Sequence, residues 1–143
     1  MVLNPSPLTS EFIQARVEVD TLILNAQEAA TLVSMTHAEI DAEPQHARVA
    51  ARCRQMIITR GGDPTLVITA SGILKIAPPS VTPVDTVGAG DAFTGAFTVA
   101  CASGMPLEKA IRFANAAGAL ATQGVGAQAS IPGRDAIVAL TGP

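Results

Sequence analysis

Cysteine is scarce in this 143-residue chain: Cys53 and Cys101 stand far apart, outside any CxxC spacing. That argues against a disulfide scaffold. Each thiol lies within an apolar helical pattern, so both are expected to be reduced core residues of a cytoplasmic protein. Positive charge is also short, with nine Lys and Arg against twelve Asp and Glu and a formal net charge of −3. Such a chain carries no basic field for nucleic acid or acidic lipid, and neither is expected as a partner. Long apolar runs are missing too. The longest, around Ala92 to Ala102, is broken by Thr94, Gly95 and Thr98 and is too short for a bilayer. The opening "MVLNPSPLTSEF" has no basic flank, apolar run or small-residue cleavage site, so neither a leader nor a membrane span is expected. His37 and His46 sit in polar helical regions away from any Cys/His cluster, which leaves no zinc motif.

What the chain does have is apolar mass, 48% of its residues, enough for one compact domain spanning 1–143. A short apolar run, Met1 to Leu3, is followed by the turn-forming "NPSP" and a helix expected from Ser10 to Arg16, capped by Thr9 or Ser10. "TLIL", Thr21 to Leu24, reads as a buried strand, and "NAQEAATLVSM" as a helix capped by Asn25. A further helix is expected from about Ala42 to Gln55, then a second buried strand, "MIIT", Met56 to Thr59. "RGGDPT" reads as a loop, and Leu66 to Thr69 and Ile73 to Ile76 flank "ASG" as a hairpin. Pro78, Pro79 and Pro83 make the next segment extended. Helices follow: one from near Gly90 to Ser103 with Gly104 as its stop, one from Pro106 to near Gly124, and a last one near Asp135 to Leu140. Strands alternating with helices, then a hairpin, define an α/β domain with helices packed on a sheet.

The chemistry concentrates in "VDTVGAGDAFTGAF", Val84 to Phe97. Val87, Gly88, Ala89 and Gly90 form a small-residue turn at a helix start, where unpartnered amides and the helix dipole favour an anion. Asp91 follows at once, and a carboxylate there repels a bound phosphate. Two readings account for it. Either Asp91 only caps the helix, or it takes the proton from a hydroxyl attacking a phosphoryl group whose charge the amides neutralise. A dinucleotide fingerprint fits worse, because its third glycine falls where Phe93 stands.

The segment "DTVGAGD", Asp85 to Asp91, carries in full the DTxGAGD signature of the ribokinase-like (PfkB) carbohydrate kinases, and the chain resembles the C-terminal half of that family. "LNPSP", "NAQEA", "ITRGG", "AIRFANAAGALAT" and "GVGAQASIP" match in the same order. The resemblance implies a three-layer α/β/α sandwich, here only its nucleotide-binding half, and ATP-dependent phosphorylation of a sugar hydroxyl, with ribose the first choice of sugar. It implies Asp91 as catalytic base and the amides of Gly88, Ala89 and Gly90 as the anion hole. Asn25 and Glu28 match the N-x-x-E motif that holds Mg²⁺ largely through water, "NAQE" standing in place of the commoner "NETE". Thr59, Arg60 and Gly61 match the segment along the nucleotide phosphates, with "DPT" where a further glycine is usual, and Asn115 matches a position near the adenine. Asp85, Val87, Ala121, Gly124, Gly126 and Ser130 match the stretches that bind a monovalent cation, expected to be K⁺.

By the same resemblance, the sugar-binding residues, the lid and several strands belong to an N-terminal half that this chain does not contain. A partner half, or a homo-oligomer, is expected to cover the face so exposed. Three alternatives stand side by side: a split or truncated kinase, a nucleotide-binding module without catalysis, and a degenerate remnant.

Overall fold

A computed structural model describes residues 1–125 and 132–142, which fall into two compact units. The first comprises Met1–Gly61 and Thr65–Lys75; the second comprises Gly62–Pro64 and Ile76–Pro143.

The sheet is mixed and five-stranded, its order following the chain: β1 (Val2–Leu3), β2 (Val19–Asn25), β3 (Cys53–Arg60), β4 (Asp63–Thr69) and β5 (Gly72–Ile76). β1 and β3 both run parallel to β2, with Leu3 opposite Leu22, Leu22 opposite Met56 and Asn25 opposite Thr59. Parallel neighbours need crossovers. These are α1 (Ser10–Ala15) between β1 and β2, then α2 (Ala26–Val33), α3 (His37–Ala42) and α4 (Pro44–Ala50) between β2 and β3. β3, β4 and β5 are joined by the two-residue turns Gly61–Gly62 and Ala70–Ser71, too short for anything but antiparallel hairpins.

One core cluster joins Leu22 and Leu24 of β2, Met56 and Ile58 of β3, and Leu66 and Ile68 of β4 to Ala29, Ile40 and Ala47 on α2, α3 and α4. The alternate residues Ile23, Ile57 and Val67 are buried as well. Burial of both faces is why these strands read as unbroken apolar runs. Each fully buried Leu or Ile contributes about 1.5–3 kcal/mol of transfer free energy.

Among its described residues the second unit holds three helices, α5 (Ala89–Ala102), α6 (Leu107–Ala121) and α7 (Arg134–Thr141). On α5, Phe93 and Phe97 stack one turn apart with ring centroids 6.4 Å apart. α6 buries a run of small side chains, Ala110, Ala114, Ala116, Ala117 and Ala121, around Ile111 and Phe113. Among the described residues, no helix is long and apolar enough to cross a membrane.

Three expectations are corrected. The single helix expected from Ala42 to Gln55 is one short helix, α4, followed by a strand, and a separate short helix, α3, ends at Ala42 before it. Thr36 and Glu39 form a capping box that starts α3, and Pro44 restarts the chain at the first turn of α4. Arg52 then takes φ +56°, which ends the helical path and lets β3 begin at Cys53, three residues before the apolar run. "RGGDPT" is largely strand, with only Gly61 and Gly62 in the turn; Gly61 supplies φ +63°. Cys53 is buried, but in a strand, whereas Cys101 faces outward on α5 and is not a core residue. The remaining differences are at element ends, such as α6 closing at Ala121 rather than near Gly124.

Burial pushes the Cys53 thiol from 9.0 up to about 11. A raised thiol pKa means that its contribution to stability is complete below 9.0 and is lost as pH rises towards about 11. At pH 8 a disulfide reagent is expected to modify Cys101 rapidly and Cys53 only after denaturant is added. Equal rates for both thiols in the native protein would contradict this packing.

Candidate functional site

Within the second unit, local hydrogen bonds shape "DTVGAGD". The Asp85 carboxylate accepts from the Val87 amide at 3.0 Å, closing a turn on itself. The amides of Val84 and Asp85 both donate to the Thr122 carbonyl, at 2.7 and 3.0 Å, so the start of the signature is fastened to the end of α6. Gly88 then takes φ 83°, ψ −3°, a left-handed conformation that a residue with a Cβ adopts only under strain, and this turns the chain into α5.

Among the described residues no side chain caps α5. The Ala92 amide closes the first turn onto the Gly88 carbonyl at 2.9 Å, and the Ala89 amide has only a long bond of 3.3 Å to Thr86. Gly90 and Asp91 are exposed in that first turn. Among the described residues the Asp91 carboxylate has no hydrogen-bond or ion-pair partner. The turn therefore offers amide donors with an uncommitted carboxylate beside them. Its position is set by α6: a Cβ on Gly118 would come within 3.2 Å of the Ala89 carbonyl and 3.6 Å of the Phe93 Cβ. Asn115, one turn earlier on α6, is 5% exposed and donates from Nδ2 to the Ile76 carbonyl at 3.1 Å.

The first unit holds the other predicted residues. Asn25 ends β2 and caps α2 in a complete capping box. Its Oδ1 accepts from the Glu28 amide at 2.8 Å, and its amide donates to Glu28 Oε2 at 3.0 Å. Glu28 Oε1 accepts from Ser6 Oγ at 2.7 Å. Thr59 lies opposite Asn25 on β3, and its hydroxyl reaches the Leu24 carbonyl at 3.4 Å. Arg60 is half-buried and forked onto Asp41 of α3, Nη2 to Oδ1 at 2.8 Å and Nη1 to Oδ2 at 3.3 Å. The Arg60 hydrogen bonds hold the Asp41 carboxyl below the usual carboxylate range.

The fold thus brings Asp85 to Thr122, next to Ala121, Val87 to Asp85, and Asn25 to Glu28 and Thr59. Gly126 and Ser130 lie outside the described residues. The signature is in the second unit and the Asn25–Glu28 pair in the first. Sequence reasoning missed Ser6, Asp41 and Gly118. "THAE", the capping box that opens α3, was the available signal for Asp41; nothing local marked the other two.

The donor chemistry at Asn25 and Glu28 suits the hydrated Mg²⁺ that the resemblance implies. Mg²⁺ keeps several waters and takes one or two carboxylates with substrate phosphates rather than an all-protein cage. Among the described residues there is no group of three or more His, Cys, Asp or Glu able to hold a metal. An ionised carboxylate has about four lone-pair sites. The two bonds to Glu28 therefore leave room for metal-bound water.

Residues 1–134 match the model of the pfkB family of carbohydrate kinases, and the chain belongs to that family. Ribokinase of Bacillus subtilis is 33% identical over 138 residues, covering 96% of this chain and 44% of its own length. Among solved structures, Arabidopsis thaliana ribokinase complexed with ribose and ATP superposes with a TM-score of 0.84 at 27% identity, covering 99% of this chain and 47% of that one. Escherichia coli phosphofructokinase-2 in complex with potassium gives 0.76 at 25% identity, over 89% of this chain and 41% of that one. The fold is therefore ribokinase-like α/β, and the chain spans under half the length of these relatives.

Proposed function

We propose that this chain is the nucleotide-side, C-terminal half of an ATP-dependent sugar kinase, with Asp91 as the catalytic base. The observation that carries this reading is the start of α5: Gly88 at φ 83° and, among the described residues, no capping side chain and no partner for Asp91 in the first turn. A side chain serving only as a cap is engaged with backbone amides, as Asn25 and Thr36 are.

In this reading the Asp91 carboxylate accepts the proton from a sugar hydroxyl while that oxygen forms its bond to the γ-phosphorus and the bond to ADP breaks. The amides of Gly88, Ala89 and Gly90 face the charge that develops on the transferring group. Asn25 and Glu28 hold hydrated Mg²⁺, which when bound neutralises phosphate charge. Thr59, Arg60 and Gly61 lie along the phosphates, with Arg60 oriented by Asp41, and Asn115 lies near the adenine. Asp85, Val87, Ala121, Gly124, Gly126 and Ser130 would hold K⁺, several through backbone carbonyls, and its charge would help to order the anion hole. Ribose is the proposed acceptor, since ribokinases are among the relatives and one solved neighbour holds ribose with ATP.

The test is ADP formation with ATP, Mg²⁺ and K⁺, measured with and without ribose, for the chain alone and for the chain joined to the N-terminal half of a ribokinase. Ribose-dependent turnover by the joined protein supports the reading. A folded chimera with no sugar-dependent turnover contradicts it.

A further inference from the structure

The loop between β1 and α1 has no role in the site just described, yet it reaches that site. Asn4 Nδ2 donates to the Ile23 carbonyl at 2.9 Å, which fastens "NPSP" beside the end of β2. Two residues on, Ser6 Oγ donates to Glu28 Oε1 at 2.7 Å, across 22 positions of sequence. The other carboxylate oxygen, Oε2, takes the Asn25 amide at 3.0 Å. Each oxygen of Glu28 is thus fixed by a donor from a different segment, and the plane of the carboxylate is defined from both sides. The capping box alone fixes only one oxygen. It leaves the carboxylate free to turn about its last torsion, which is broad for a glutamate.

We infer that Ser6 is a positioning residue for Glu28: its hydroxyl holds the carboxylate in the orientation that accepts metal-bound water. The inference rests on the reading of Asn25 and Glu28 as the Mg²⁺-holding pair. Groups hydrogen-bonded to a metal-site carboxylate tune its affinity, and their loss typically costs tenfold or more. Ser6 touches neither nucleotide nor sugar in this account and acts only through Glu28. The exposed Ser6 hydroxyl has no core to support, so its removal leaves the fold intact.

The test is calorimetric titration of the 143-residue chain with ATP, at fixed K⁺ and a series of Mg²⁺ concentrations. Ser6→Ala is expected to raise the Mg²⁺ concentration for half-maximal tightening of ATP binding by roughly tenfold. ATP affinity without Mg²⁺ is unchanged, and Ser6→Thr, which keeps the hydroxyl, restores the parent value. In a Glu28→Gln background Ser6→Ala has no further effect. A Ser6→Ala chain with an unaltered Mg²⁺ dependence overturns the inference and leaves the kinase reading standing, as does an equal loss of ATP affinity with and without Mg²⁺. Failure of the parent chain to bind ATP under any condition overturns both.

Discussion

Replacing Asp91 with alanine is expected to lower ribose-dependent ADP formation by about a thousandfold, within the range that a positioned general base supplies. ATP affinity is expected to hold or to rise, because a negative charge has been taken away from the phosphate end of the nucleotide. The two outcomes together separate base from cap. A helix-terminal carboxylate that served only the α5 dipole would leave turnover near its parent value and show its loss in thermal stability instead. Turnover is read in the ribose-dependent assay on the form of the protein that phosphorylates sugar, and affinity is read by calorimetry. Asp91→Asn, which keeps the side-chain volume, should behave like alanine in rate, since an amide cannot take the proton.

The second large effect is expected at Gly88. Its φ of 83° lies where a β-branched residue is a genuine outlier, and Gly88→Val should cost about 2 kcal/mol in strain or move the first turn of α5 to avoid it. Because that turn carries the amides of Ala89 and Gly90, ATP affinity should fall at least about tenfold with the loss of anion-hole geometry. Gly104 is the control. It has φ +74° just beyond the other end of the same helix, so Gly104→Ala should destabilise by similar strain yet leave ATP affinity unchanged. Equal loss of binding in both variants, measured by calorimetry beside thermal melts, would mean that helix stability and not the signature turn governs the nucleotide.

The sequence was most readable where local chemistry decides structure. The buried strands at "TLIL" and "MIIT", the "ASG" hairpin, the helix stop at Gly104 and the helix start at Pro106 follow from residue type and period alone. The strands are longer than they read because their ends are polar and are set by pairing. Val19 is opposite Cys53, and Thr21 opposite Gln55, across a crossover that periodicity cannot see. The misread helix from Ala42 to Gln55 has the same origin. "ARVAAR" suits a helix locally, but Pro44 and the left-handed Arg52 divide it, and β2 claims Cys53 onward as its partner. In the signature, the left-handed turn at Gly88 and the helix start after it were legible because both demand particular residue types. The Ser6–Glu28 bond, the Asp41–Arg60 fork and the Asn115 bond to Ile76 join residues 19 to 39 positions apart, and no local pattern announces them.

Titration of the folded 143-residue chain with ATP and Mg²⁺ in the presence of K⁺ tests the central claim most directly. Saturable binding to a single site is expected, tightening with Mg²⁺, persisting in Asp91→Ala and weakened in Gly88→Val. A folded chain that gives no saturable binding, or binding indifferent to Gly88, would contradict it.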